Sequence, residues 1–98
     1  MNTLFFQLRN ICNHNRDGSE STKATRINNL ELFSKQLKEM GYRHLQPSSL
    51  KQKHVQALVD RWQAENISVK TIKNRMSHLR WWAEKVGKTN VVLSNKEL

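Results

Sequence analysis

Three glycines and one proline are all the backbone punctuation that this chain of 98 residues contains. An all-β fold with short strands needs turn signals every roughly 8–12 residues, so long helices are the better expectation. The apolar pattern agrees. Leu4, Phe5, Leu8, Ile11 and Cys12 recur at helical spacing and predict a helix over 3–14. Residues 13–21 read as a polar loop with a turn at Asp17-Gly18. Ile27, Leu30, Phe33, Leu37 and Met40 fall at steps of three and four, which predicts a helix over 22–40 closed by Gly41. Pro47 closes the next loop, and Ser49 with Gln52 suggests a capping box for a third helix over 50–65. Its apolar face is Val55, Leu58, Val59 and Trp62. Ser68 is placed as the N-cap of a fourth helix over 69–86, with Val69, Ile72, Met76, Leu79, Ala83 and Val86 as its stripe and Gly87 as its end. Connections this short suit an all-α bundle of four helices. Residues 1–90 are expected to form one domain, and residues 91–98, with the apolar Val91-Val92-Leu93, a linker.

Charge narrows the function. Seventeen Lys and Arg face eight Asp and Glu, a formal net charge of +9, which attracts polyanions such as nucleic acid or an anionic membrane surface. No apolar run is long enough to span a bilayer. The start lacks the basic and apolar regions of a signal peptide. The tail Asn95-Lys96-Glu97-Leu98 looks superficially like a retention signal, which has no support without such a leader. Cys12 is the single cysteine, so neither a disulfide framework nor a cysteine zinc cluster is expected, and a reducing cytoplasm fits. His14, His44, His54 and His78 have no metal-ligand spacing. With no nucleophile elbow, phosphate loop or dinucleotide fingerprint, the chain is expected to hold no metal, no cofactor and no catalytic site.

The fourth helix carries most of the information. Residues 68–88 hold Lys70, Lys73, Arg75, Arg80, Lys85 and Lys88 against Glu84, a net +5 of the total +9. At roughly 100° per residue, Lys70, Lys73, Asn74, Ser77 and Arg80 lie away from Ile72, Met76 and Leu79. Lys70 and Lys73 can follow phosphates, Asn74 and Ser77 can address base edges, and Arg80 can reach backbone or guanine. His78 borders this side and could touch a phosphate. Trp81 is expected to point outward on the same face and to pack on something, while Trp82 and Trp62 belong to the core. The second helix adds a weaker basic edge with Lys23, Arg26, Lys35 and Lys38. Its first turn opposes the helix dipole, and a phosphate beside Lys23 and Arg26 would relieve it. A merely solvated face is the competing account of each of these clusters.

The string Ser68-Val69-Lys70-Thr71-Ile72-Lys73-Asn74-Arg75-Met76-Ser77-His78-Leu79-Arg80-Trp81-Trp82 resembles the last helix of the SAM-like N-terminal core-binding domain of phage-type integrases, the tyrosine recombinases. Ser68, Thr71, Asn74, Leu79, Arg80, Trp81 and Trp82 match its Ser-x-x-Thr-x-x-Asn pattern with the following Leu-Arg and aromatic pair. Gly18-Ser19, Leu30, Phe33, Leu37, Gly41-Tyr42, Ser49-Leu50, His54-Val55 and Trp62 extend the resemblance over residues 18–90. It looks closest to integrases of bacterial integrative elements and genomic islands. The resemblance implies a clamp on duplex DNA made by this domain and a catalytic domain that would follow residue 98. It places the second and fourth helices at the major groove and the first against a neighbouring protomer. Ser68 and Thr71 thereby join Lys70, Lys73, Asn74, Ser77, Arg80, Lys23 and Arg26 as candidate DNA-binding residues. It also implies a bacterial cytoplasm, with the protein at the nucleoid when bound. The nucleophilic tyrosine belongs to the catalytic domain, so Tyr42 does not inherit that role. The alternatives are a free-standing helix-turn-helix regulator, for which the connection at Asn66-Ile67 is short enough, and a helical protein-interaction module.

Overall fold

The structure, a computed structural model, describes residues 3–15, 18–88 and 90. Among the described residues it is all-α, with four helices and no strand. They are α1 (Thr3–His14), α2 (Glu20–Glu39), α3 (Gln52–Ala64) and α4 (Val69–Lys85), with a 3-10 turn at Pro47–Ser49. The chain divides into two compact units between Pro47 and Ser48. The first pairs α1 with α2, the second α3 with α4. Asp17 of the expected turn and the apolar Val91-Val92-Leu93 lie outside the described residues.

In the first unit, α1 buries Leu4, Leu8 and Cys12, one stripe at four-residue steps, while Phe5 and Ile11 are half-buried at its edges. α2 buries Leu30, Phe33 and Leu37 completely; Ile27 and Met40 are half-buried. α2 starts two residues earlier than its apolar pattern suggests. Ser19 is the N-cap, its Oγ accepting from the Thr22 N–H at 3.2 Å and donating to Thr22 Oγ1 at 3.0 Å. The cap satisfies an amide that the helix cannot. The correction changes the electrostatics, because the first turn now contains Glu20.

In the second unit the third helix starts later than expected. Leu50, between the 3-10 turn and α3, is fully buried, so the chain packs this side chain before it begins to coil. Ser49 ends the 3-10 turn, and the N-cap is Lys51. Its backbone N–H donates to Nδ1 of His54 at 2.9 Å, so His54 performs the reciprocal half of a capping box in place of Gln52. Val55, Leu58, Val59 and Trp62 of α3 and Ile72, Met76, Leu79, Trp82 and Ala83 of α4 are buried. Val86 is only half-buried, and Val69, assigned to the same stripe by its spacing, is 58% exposed. Val69 is the first residue of α4, ahead of the part of the helix whose apolar side is covered.

Helices α2, α3 and α4 stop by one device. The Tyr42 N–H reaches the Leu37 carbonyl and the Gly41 N–H that of Lys38, both at 3.0 Å. The same pair of bonds recurs at Ile67 to Trp62 with Asn66 to Gln63, and at Lys88 to Ala83 with Gly87 to Glu84. This is the Schellman arrangement, and Gly41, Asn66 and Gly87 adopt positive φ to complete it. The connection between α3 and α4 is therefore four residues, Glu65 to Ser68, with its geometry set by hydrogen bonds.

Candidate nucleic-acid interface

α4 is divided along its length. Lys70, Lys73, Asn74 and Ser77 are exposed, and Arg80 is half-buried. Lys70 and Lys73 form no ion pair among the described residues. Ser77 Oγ donates to the Asn74 carbonyl at 2.7 Å. That ties down the serine hydroxyl as donor and leaves the Asn74 carboxamide in solvent. The following turns are enclosed: His78 and Trp81 are each 9% exposed, and Trp82 and Ala83 are fully buried. The expected outward Trp81 is thus corrected. It is an interior residue with Lys85 Nζ over its ring at 5.7 Å, which is the partner such a ring needs. His78 is likewise inside and presents no ring for a phosphate.

Basic residues counted together in the sequence separate here by position. Arg75 turns toward α3 and lies over Trp62 at 5.1 Å, half-buried. Its guanidinium holds two helices of the second unit in register by stacking. Ser68 and Thr71 are exposed but occupied. Ser68 Oγ accepts from the Thr71 N–H at 3.2 Å and donates to Thr71 Oγ1 at 2.9 Å. The serine and threonine of the resemblance motif therefore cap α4, repeating the Ser19–Thr22 arrangement of α2.

The basic edge of α2 differs from expectation. Lys23 is half-buried and bonded to Glu20 at 3.0 Å, so the first turn neutralises itself. Arg26 is 7% exposed and lies beside Cys12. Burial pushes the Cys12 thiol up, and the positive charge of Arg26 partly offsets this. A buried guanidinium is not displayed beside Lys23 on an open face. Lys35 and Lys38 are exposed. Tyr42 sits half-buried in the turn after α2.

Position, not residue type, hid another patch from the sequence. Gln63, Asn66, Ile67, Ser68, Val69 and Ile72 line a concavity of about 290 Å³ at the α3–α4 junction. Its one signal was that Val69 directly follows the N-cap, where a helix can overhang its neighbours. Among the described residues no group of three or more His, Cys, Asp or Glu could hold a metal ion, and no helix is long and apolar enough to cross a membrane. A family model described as phage integrase, N-terminal, matches residues 1–92. No curated protein and no solved structure matches the chain.

Proposed function

We propose, from the premise that this chain belongs to the phage integrase N-terminal domain family, that it is the core-binding half of a DNA clamp. In this proposal it binds duplex DNA through the outward side of α4 during site-specific recombination or integration. One observation carries the reading: Lys70, Lys73, Asn74 and Ser77 share an exposed side whose two cations have no counter-ion among the described residues. Ammonium groups on flexible stems suit phosphates, and an exposed carboxamide suits the edge of adenine. Arg80 extends the side toward the C-terminal turns. Ser68 and Thr71 would act by fixing the start of the helix, and Lys23 by a peripheral contact that first requires it to leave Glu20; Arg26, buried beside Cys12, would have to be uncovered before it could join that contact. The strand chemistry would come from a catalytic domain of the same parent chain, and neighbouring recombinase protomers on DNA would be further partners. A bacterial cytoplasmic location, at the nucleoid when bound, belongs to the same proposal.

Half of a clamp should bind weakly, with a dissociation constant on the order of 10⁻⁴–10⁻⁶ M at physiological salt. If about four to six phosphates are neutralised, the logarithm of affinity should fall with the logarithm of salt with a slope near −4 to −5. Fluorescence anisotropy with a labelled duplex across a salt series measures both. Affinity independent of salt would exclude this mechanism, and no binding even at low salt would favour a protein-interaction module. The four-residue link between α3 and α4 supports a second reading, a free-standing helix-turn-helix regulator. A recombinase catalytic sequence encoded directly after residue 98 decides against it.

A further inference from the structure

The large apolar side chains exposed among the described residues are Phe6 on α1 and Val69 on α4. A single exposed apolar group ordinarily needs no explanation, but Val69 has a distinctive setting. It lines the concavity at the α3–α4 junction with Ile67 and Ile72, and Gln63 and Asn66 bring carboxamides to the same surface. Ser68 completes the lining, which contains no charged side chain. Lys70 is the next residue of the helix and Lys73 lies one turn on, both exposed and both without an ion pair among the described residues. The opposite end of α4 lacks this character. His78, Trp81, Trp82 and Ala83 are buried there, and Lys85 lies over the Trp81 ring beside the exposed Glu84.

A neutral concave surface with an apolar floor, amides among its lining groups and free cations alongside matches one edge of duplex DNA. In the major groove thymine presents a 5-methyl group beside hydrogen-bonding atoms, between two phosphate backbones. A lipid surface would call for a longer apolar face, and an apolar peptide would leave Lys70 and Lys73 without a role. We infer that the α3–α4 junction is a thymine-reading site, with Val69 covering the 5-methyl group of a base whose neighbouring phosphates are held by Lys70 and Lys73. This rests on the DNA-binding reading above and specifies a base that the interface selects.

The test uses the whole chain and two short duplexes. One alternates adenine and thymine; the other is identical except that deoxyuridine replaces every thymidine, which removes only the 5-methyl groups. At low salt the wild-type chain should bind the deoxyuridine duplex about threefold more weakly, the worth of roughly one buried methyl group. Val69→Ala should bind the two duplexes equally, and its affinity for the deoxyuridine duplex should match that of the wild type. Val69 packs little against the chain, so a thermal melt of this variant should be unchanged. Lys73→Ala should weaken both duplexes while preserving the threefold ratio. Equal affinities for wild type, or discrimination that survives in Val69→Ala, overturns the thymine site and leaves DNA binding intact. Absence of binding to both duplexes at low salt overturns the DNA-binding reading, and this site with it.

Discussion

Gly41 turns the chain at φ +102°, and a Cβ built there would meet no atom within 4 Å. Gly41→Ala therefore isolates the backbone cost of a left-handed residue, about 1 kcal/mol. Urea unfolding should show that loss with an unchanged denaturant slope. Asn66 holds the same position after α3 at φ +59°, so Asn66→Gly should stabilise by less than about 1 kcal/mol. Destabilisation by that variant would show that the Asn66 side chain contributes more than its backbone costs. Phe33 is fully buried, and Phe33→Ala should cost about 3–5 kcal/mol. Gly41 and Gly87 were legible as helix ends, because glycine after a final apolar position has few other uses. Asn66 was not, because asparagine is equally at home in loops, caps and exposed helix.

Each helix has its own dependence on conditions. α3 begins at a bond from the Lys51 N–H to Nδ1 of His54, a buried ring at 3% exposed. Burial and the charges of Lys53 and Lys51 hold the His54 pKa below its ordinary 6.5. Protonation also removes the acceptor. The unfolded chain thus takes up this proton more readily than the folded one. The contribution of His54 to stability is complete above pH 6.5 and declines as pH falls through the lower folded value. Urea midpoints at a series of pH values should show the decline, and His54→Gln, which can still accept at this position, should show less of it. An identical profile for the variant would remove His54 as the cause. On α4, Lys73→Ala should weaken all duplexes alike and reduce the salt slope by about one. Asn74→Ala should leave that slope nearly unchanged, and chemical shifts on adding DNA should centre on Lys70, Lys73, Asn74 and Ser77. Shifts gathered instead around Lys53 and Arg61 would move the interface to α3.

For the chain as a whole, a net charge of +9 makes folding and binding respond oppositely to salt. Screening relieves self-repulsion in the folded state, so added salt should raise the melting temperature of the free protein. Duplex DNA should raise it too, but only at low salt, where a ligand at a hundred times its dissociation constant contributes about 2.7 kcal/mol. Differential scanning fluorimetry with and without DNA, at two salt concentrations, reads both effects. A DNA-induced rise that persists at high salt would count against a binding energy dominated by phosphate contacts.

Local pattern was enough for the helical class, for four helices, and for buried residues of each unit, Leu30, Phe33 and Leu37 in the first and Val55 to Ala83 along the apolar stripes of the second. Helical periodicity and the rarity of glycine and proline are properties of neighbouring residues. The exposed cluster of Lys70, Lys73, Asn74 and Ser77 was legible for the same reason, since one helix turns these residues to one side. Tertiary structure decided what periodicity cannot express, namely how far a helix is covered along and around its axis. It enclosed Trp81, His78 and Arg26, paired Lys23 with Glu20, turned Arg75 onto Trp62, and left Val69 in solvent. A helical projection ranks residues by angle alone. Burial also depends on where the neighbouring segments begin and end, and that is set by packing between residues distant in the chain.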